Sequence, residues 1–139
     1  INIDSIALMG WSAGGSTALN LVGQRTPPGR LTTRNFSATV AFYPQCKPKG
    51  LELKVPILLL LGDNDRILQK GDCNLFKQAS NEINPQQKIE LNIYPGATHF
   101  YDDSKYPKTK SGENSAYYYS PIAHQQSITR VKTFLDKNL

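Results

Sequence analysis

Apolar and polar positions divide the chain into short apolar runs that alternate with longer amphipathic stretches. Four of the runs predict β-strands, at 3–9 (IDSIALM), 37–43 (SATVAFY), 55–61 (VPILLLL) and 88–94 (KIELNIY). The third run is apolar at every position after its proline, which is typical of a strand covered on both faces in a parallel sheet.

Amphipathic stretches between and after these strands predict helices. They lie at 13–22, at 75–83 and from 120 onward, with Ser120 as N-cap and Pro121 at the first helical position. In the first helix, we expect Gly14 and Ala18 to lie on one face and to allow close packing on the sheet. In the last helix, Ile128, Val131 and Leu135 fall at helical spacing and indicate its apolar face.

Strands that alternate with helices indicate an α/β fold with a mainly parallel sheet. The length of 139 residues suits a single domain spanning 1–139. In such sheets, reactive groups lie at the carboxyl ends of the strands. The residues that follow each strand are therefore the candidates for chemistry.

The first strand runs into Gly10-Trp11-Ser12-Ala13-Gly14, which fits the G-x-S-x-G pattern of a nucleophile on a sharp strand-to-helix turn. Small neighbours permit the strained conformation that exposes the serine hydroxyl at the N-terminus of the next helix. The backbone N–H of Ala13 would then face a developing oxyanion, with help from the helix dipole. The alternative is a plain Gly/Ser turn that closes a strand.

An acid and a base follow later strands. Asp63 and Asp65 come after the third strand, and either could orient a histidine, although both could instead form a solvated turn. His99 follows the fourth strand after a Pro-Gly turn, and its imidazole could take a proton from Ser12. His124, the other histidine, is predicted to be a packed or half-buried structural residue of the last helix. The chain order Ser, Asp, His is that of an α/β-hydrolase.

Composition and charge exclude several other classes. The net charge of +5 is scattered rather than clustered, so nucleic-acid binding is not expected. The longest purely apolar run, 57–61, is far below the roughly 20 residues that a membrane-spanning helix needs. Cys46 and Cys73 lack the spacing of zinc ligands, so we expect no metal site.

Four segments resemble the dienelactone hydrolase family of α/β-hydrolases: "GWSAGG", "VPILLLLGDNDRI", "YPGATHFYDD" and the closing "YSPIAHQQSITRVKTFLDKNL". The resemblance implies a three-layer α/β-hydrolase sandwich without cofactor or metal. It implies Ser12 as nucleophile, His99 as base, and Asp65 rather than Asp63 as the acid. The enzymes that give the family its name carry cysteine at the nucleophile position. Serine here favours a general hydrolase of carboxylic esters or lactones.

The resemblance also implies that the chain is the C-terminal half of this domain. In the family, several strands precede the nucleophile turn, together with a loop that supplies the second oxyanion donor. We expect an associated chain, or a segment outside this sequence, to complete the domain.

Cys46 and Cys73 follow neighbouring strands, whose ends could bring the two cysteines within bridging distance. A disulfide would indicate a periplasmic or secreted protein, and free thiols a cytoplasmic one. Two rival functions remain open at this point. One is a peptidase of the same fold, with the Tyr-rich segment 101–119 shaping its site. The other is a non-catalytic hydrolase-like domain used for binding.

Overall fold

The computed structural model describes residues 5–24, 26–27, 29, 36–108 and 116–139. The elements with bounds inside these ranges are four strands and three helices. The strands are β1 (Ala7–Trp11), β2 (Ala38–Phe42), β3 (Ile57–Gly62) and β4 (Ile89–Tyr94). The helices are α1 (Ala13–Val22), α2 (Asp72–Ile83) and α3 (Pro121–Asn138). None of the helices in these ranges has the length and apolar character needed to cross a membrane.

The four strands form one parallel sheet in the order β1-β2-β3-β4. In the register, Trp11 pairs with Phe42, Phe42 with Leu60, and Leu60 with Asn92. All residues of β2 are buried, as are the isoleucine and the four leucines of β3. The carboxyl ends of the strands therefore lie along one edge of the sheet, where the predicted chemistry converges.

Helices cover both faces of the sheet. Gly10 of β1 faces α1, because a Cβ on Gly10 would lie 2.3 Å from the carbonyl oxygen of Gly14. Met9 and Trp11 point to the opposite face, since successive side chains of a strand alternate. There they line a groove together with Ile128 of α3. The predicted three-layer α/β architecture is confirmed: helix, sheet and helix.

The first helix has its predicted bounds, and of the two small residues predicted to face the sheet, Ala18 is buried but Gly14 is not. The buried residues of α1 are Gly15, Ala18, Leu19 and Val22, whereas Gly14 is exposed. The spacing from Gly15 to Val22 is that of a single helical face. The sharp turn at Ser12 sets the rotation of α1, and that rotation directs Gly15 rather than Gly14 toward the sheet.

The last helix begins as predicted. Ser120 is its N-cap, whose hydroxyl accepts a hydrogen bond from the N–H of Ala123 at 3.3 Å. Its fully buried residues are Ala123, Ser127 and Phe134. Val131 and Leu135 of the predicted apolar face pack partly against the core, but Ile128 is 50% exposed. The helix packs over β2 and β3, so part of its apolar face is turned toward the open groove beside β1.

The second helix begins three residues before its predicted start, at Asp72, after Gly71 with φ 90°. Cys73 in its first turn forms a disulfide with Cys46, which lies in the loop after β2. The bridge closes a segment that contains all of β3 and the loop carrying Asp65.

We expect loss of this disulfide to destabilise the fold. The two cysteines are 27 residues apart, and a cross-link of that span stabilises a protein by about 3–4 kcal/mol, mainly by restricting the unfolded chain. The double variant Cys46→Ser, Cys73→Ser should lose free energy of unfolding of that order in urea titrations. Adding a reductant should lower the wild-type midpoint and leave the variant unchanged. Equal midpoints for oxidised and reduced wild type would contradict the expectation.

Candidate active site

Three predicted site residues meet at the carboxyl edge of the sheet. Ser12 follows β1, Asp65 lies in the loop after β3, and His99 lies in the loop after β4. Nε2 of His99 is 2.9 Å from Oγ of Ser12, and Nδ1 of His99 is 2.6 Å from Oδ2 of Asp65. These distances are those of hydrogen bonds, so the three side chains form one continuous chain of contacts.

The serine sits on a strained turn between β1 and α1. Ser12 has φ 50° and ψ −120°, a conformation that costs a non-glycine residue roughly 1–3 kcal/mol. Two backbone hydrogen bonds hold it there. The N–H of Ser12 donates to the carbonyl of Phe42 at 2.9 Å, and the carbonyl of Ser12 accepts from the N–H of Ser16 at 3.0 Å. The turn is thus supported by the neighbouring strand and by the first turn of α1.

Only one of the two glycines in the G-x-S-x-G pattern is required by close packing. A Cβ on Gly10 would lie 2.3 Å from the oxygen of Gly14, whereas a Cβ on Gly14 would meet no atom within 4 Å. Gly10 therefore allows the strand and the helix to approach each other at the turn.

Gly10→Ala should destabilise the protein by about 1–3 kcal/mol or more, because the backbone must shift to admit the methyl group. Gly14→Ala is the matched control, and we expect unchanged or slightly higher stability, since alanine favours a helix over glycine by about 1 kcal/mol. Thermal melts of the two variants beside the wild type give the comparison. Equal losses for both would contradict the assigned packing.

His99 and Asp65 are shielded from solvent. Their side chains are 1% and 3% exposed, respectively. A carboxylate can only accept, so Nδ1 of His99 carries a proton and donates a hydrogen bond to Asp65. Nε2 is then free to accept from the hydroxyl of Ser12. The other oxygen of Asp65, Oδ1, accepts from the N–H groups of Ile67 at 2.8 Å and Leu68 at 3.2 Å.

These hydrogen bonds set the charge of Asp65. Burial alone would raise the pKa of the Asp65 carboxyl, but the hydrogen bonds from His99, Ile67 and Leu68 and the attraction of His99 outweigh it. The pKa of Asp65 therefore lies below its ordinary value of 3.8. The side chain remains an anion throughout the neutral range.

The lowered pKa makes part of the folding stability depend on pH. An acid with a lower pKa in the folded than in the unfolded chain contributes stability above its unfolded pKa, and the contribution is lost as pH falls through the folded pKa. We expect Asp65→Asn to be less stable than wild type at neutral pH, with the gap narrowing below about pH 4. Urea titrations across this range measure the gap. A gap that is constant with pH would contradict the lowered pKa.

The second candidate acid has a different place. Oδ1 of Asp63 accepts from the N–H of Gly96 at 2.5 Å. Gly96 has φ 72° and belongs to the turn that leads from β4 to His99. Asp63 thus holds the histidine-bearing loop, while Asp65 contacts the imidazole itself. His124 is half-buried on α3, with Nδ1 3.1 Å from the hydroxyl of Tyr119, and lies outside this chain of contacts.

Two residues beside the site are absent from the sequence-based prediction. Tyr43 directly follows β2, and its ring centroid lies 4.5 Å from that of His99. Its hydroxyl donates to Oδ1 of Asp102 at 2.7 Å. Burial, together with the carboxylate of Asp102, raises the pKa of Tyr43 far above its ordinary value, so the phenol keeps its proton. The rule that strand ends carry chemistry, applied to the second strand, would have pointed to Tyr43.

Ala13 is the first residue of α1. Its N–H is one of the four at a helix N-terminus that have no acceptor within the helix. Within the described ranges, no group of three or more His, Cys, Asp or Glu side chains has an arrangement that could hold a metal ion.

A parallel sheet with helices on both faces, and with Ser, Asp and His at its carboxyl edge in that chain order, defines an α/β-hydrolase fold. The family model of the dienelactone hydrolases matches residues 2–139. The chain therefore belongs to the dienelactone hydrolase family. No curated protein matches the sequence.

Solved structures share the fold at low sequence identity. A dienelactone hydrolase-like promiscuous phosphotriesterase from metagenomic libraries is 18% identical with a TM-score of 0.72, covering 97% of this chain and 53% of that one. A putative dienelactone hydrolase from Klebsiella pneumoniae is 18% identical with a TM-score of 0.67, covering 94% of this chain and 51% of that one. An esterase from Thermogutta terrifontis is 18% identical with a TM-score of 0.66, covering 95% of this chain and 55% of that one. The chain thus spans about half the length of the structures it matches.

Proposed function

We propose that the protein is a serine hydrolase that cleaves carboxylic esters or lactones through an acyl-enzyme on Ser12. The observation that carries the proposal is the unbroken chain of contacts from Asp65 through His99 to Ser12. Membership of the dienelactone hydrolase family supports the same class of reaction. The strained backbone of Ser12 adds support, because strain of this kind is concentrated at functional sites.

In the proposed first half-reaction, Nε2 of His99 takes the hydroxyl proton of Ser12 while Oγ attacks the carbonyl carbon. The carbonyl oxygen becomes an oxyanion, to which the N–H of Ala13 donates. The C–O bond to the alcohol then breaks, and His99 returns the proton to the leaving oxygen. Asp65 keeps Nδ1 protonated and stabilises the imidazolium that forms in between.

In the second half-reaction, water replaces the alcohol. His99 takes a proton from the water, whose oxygen attacks the acyl carbon. The bond to Oγ of Ser12 then breaks as His99 gives this proton to Oγ. The acid leaves and the hydroxyl of Ser12 is restored. No cofactor enters either step.

The proposal includes a segment that completes the site. One edge of β1 pairs with β2, and within the described part of the chain no strand pairs with its other edge. Met9 and Trp11 at this edge are 36% and 46% exposed. We propose that further strands pair here, from an associated chain or from a segment outside this sequence. They would bring the loop with the second oxyanion donor.

The disulfide indicates the kind of compartment in which the protein acts. Disulfides persist in oxidising compartments and are rare where cytosolic reductants keep thiols reduced. The bridge between Cys46 and Cys73 therefore supports our proposal of a periplasmic or secreted protein.

The deciding experiment is intact-mass measurement before and after a fluorophosphonate probe, followed by peptide mapping. We expect one adduct, on Ser12. An organophosphate is a suitable probe because the esterase 2 of Thermogutta terrifontis is phosphorylated by paraoxon. Ser16→Ala is the matched control, since Ser16 is the nearest other serine along the chain and should leave the adduct in place. Parallel assays on short esters and on peptides distinguish an esterase from a peptidase.

A wild-type chain that gains no adduct, either alone or combined with the preceding half of the domain, would overturn the proposal. That result would favour a non-catalytic binding domain of the same fold.

A further inference from the structure

Asp102 joins three separate parts of the site. Its Oδ2 accepts from the indole N–H of Trp11 at 2.8 Å, and its Oδ1 accepts from the hydroxyl of Tyr43 at 2.7 Å. Trp11 ends β1, Tyr43 directly follows β2, and Asp102 lies three residues after His99. One carboxylate therefore connects the ends of two strands to the loop that carries the histidine.

Each hydrogen-bond partner of Asp102 is adjacent to one of the two side chains between which the proton moves, Ser12 and His99. Trp11 immediately precedes Ser12, and its ring stacks on Phe42 with 5.0 Å between centroids. Tyr43 packs its ring against His99 with 4.5 Å between centroids. Fixing Trp11 and Tyr43 to the same carboxylate thus restricts how far Ser12 can move relative to His99.

The two hydrogen bonds that Asp102 accepts are charge-assisted. Hydrogen bonds to a charged acceptor are shorter than neutral ones and about twice as strong. Both oxygens of Asp102 accept at distances below 3 Å, from donors at the carboxyl ends of two different strands. The neighbouring carboxylate, Asp103, differs. Its Oδ1 accepts from the N–H of Lys105 at 3.0 Å, within its own loop.

We propose that Asp102 is a positioning residue of the site: by bridging Trp11 and Tyr43, its carboxylate sets the separation between Oγ of Ser12 and Nε2 of His99. The inference rests on the proposed function, in which that separation governs proton transfer. It assigns Asp102 no contact with the substrate and no chemical step.

The test is Asp102→Asn, with Asp103→Asn as the matched control. An amide has one acceptor oxygen and no charge, so Asp102→Asn keeps at most one of the two hydrogen bonds to a side-chain oxygen. An amide N–H that faces the Tyr43 hydroxyl could make only a neutral, weaker bond in its place. We expect the maximal rate of phosphonylation of Ser12 by a fluorophosphonate to fall about 10- to 100-fold, because a displacement near 1 Å can cost that much. The probe concentration at half-maximal rate should stay unchanged. Asp103→Asn should match the wild type in both quantities.

Tyr43→Phe separates the two arms of the bridge. It removes one hydrogen bond and leaves the ring beside His99, so the loss in rate should be smaller than for Asp102→Asn. The double variant Tyr43→Phe, Asp102→Asn should lose less rate than the product of the two single losses, since both changes act on the same contact. Independent, multiplying losses would overturn the proposal. If Asp102→Asn fails to fold, Tyr43→Phe and Trp11→Phe carry the test.

A second readout does not depend on reactivity. Trp11 is the one tryptophan of the sequence, and His99 is one of two histidines. In proton–nitrogen NMR spectra, Asp102→Asn should move the indole N–H signal of Trp11 and broaden the Nδ1–H signal of His99. Asp103→Asn should change neither.

The two readouts distinguish failure of the proposed function from failure of this inference. If wild type gains no adduct but the NMR signals respond as expected, the positioning role stands and the proposed function fails. An Asp102→Asn variant that reacts like wild type, with the His99 signal unchanged, would overturn the positioning role. Equal effects of Asp102→Asn and Asp103→Asn would overturn it as well, since they would indicate general destabilisation of the loop.

Discussion

Ser12→Ala should abolish ester hydrolysis, with a loss of kcat on the order of 10⁴–10⁶, as in serine hydrolases that lose their nucleophile. The substitution removes only Oγ, and the backbone hydrogen bonds of Ser12 with Phe42 and Ser16 do not involve that atom. The fold should therefore be retained. The measurement is turnover of a short-chain ester beside the circular dichroism spectrum of the same sample.

Ser16→Ala is the control for this loss. Its hydroxyl bonds backbone carbonyls of Ser12 and Gln45 and lies within the same turn. We expect kcat close to wild type in this variant. Retained hydrolysis in Ser12→Ala would exclude an acyl-enzyme on Ser12, even if His99 and Asp65 prove essential.

The second large effect separates the two neighbouring acids. Asp65→Asn should lower kcat by about 10⁴, because an amide facing Nδ1 favours the tautomer of His99 that cannot accept the serine proton. Asp63→Asn should stay close to wild type, because the amide oxygen can still accept from the N–H of Gly96. Steady-state kinetics on one ester, at a single neutral pH, compares the two variants.

Similar losses in both variants would contradict the assignment of separate roles. In that case the loop between β3 and α2 would act as a unit, and the contact between Asp65 and His99 would not be the decisive one. A loss confined to Asp63→Asn would instead support the turn at Gly96 as the critical element.

The choice between Asp63 and Asp65 shows a limit of the residue pattern as a predictor of the site. Asp63 and Asp65 are two residues apart after the same strand, and the pattern of residues alone left both open as partners of the histidine. Resemblance to the family favoured Asp65. In the structure, Oδ2 of Asp65 lies 2.6 Å from Nδ1 of His99, while Asp63 binds Gly96. The path of the loop decides between them, because it turns one side chain inward and the other toward a neighbouring turn.

The hydrophobic pattern along the chain also could not predict which side of each helix faces the sheet. Helical spacing predicted where α1 and α3 lie, and α1 has the predicted bounds. The spacing predicted that Gly14 of α1 faces the sheet, but the buried glycine is Gly15. It also predicted Ile128 on the buried face of α3, but that side chain is half exposed. Periodicity gives the width of an apolar face, whereas its direction depends on the turn that enters the helix and on the strands beneath it.

The sequence by itself determined the order of strands and helices, the parallel α/β class and the three strand ends where chemistry was expected. These features follow from burial periodicity and turn preferences, which act between residues close in the chain. Tertiary structure alone decided the contacts across 34, 87 and 91 positions that join Asp65 to His99, His99 to Ser12, and Trp11 to Asp102. Such contacts depend on strand register and loop path, because both must bring distant side chains within about 3 Å before a hydrogen bond forms.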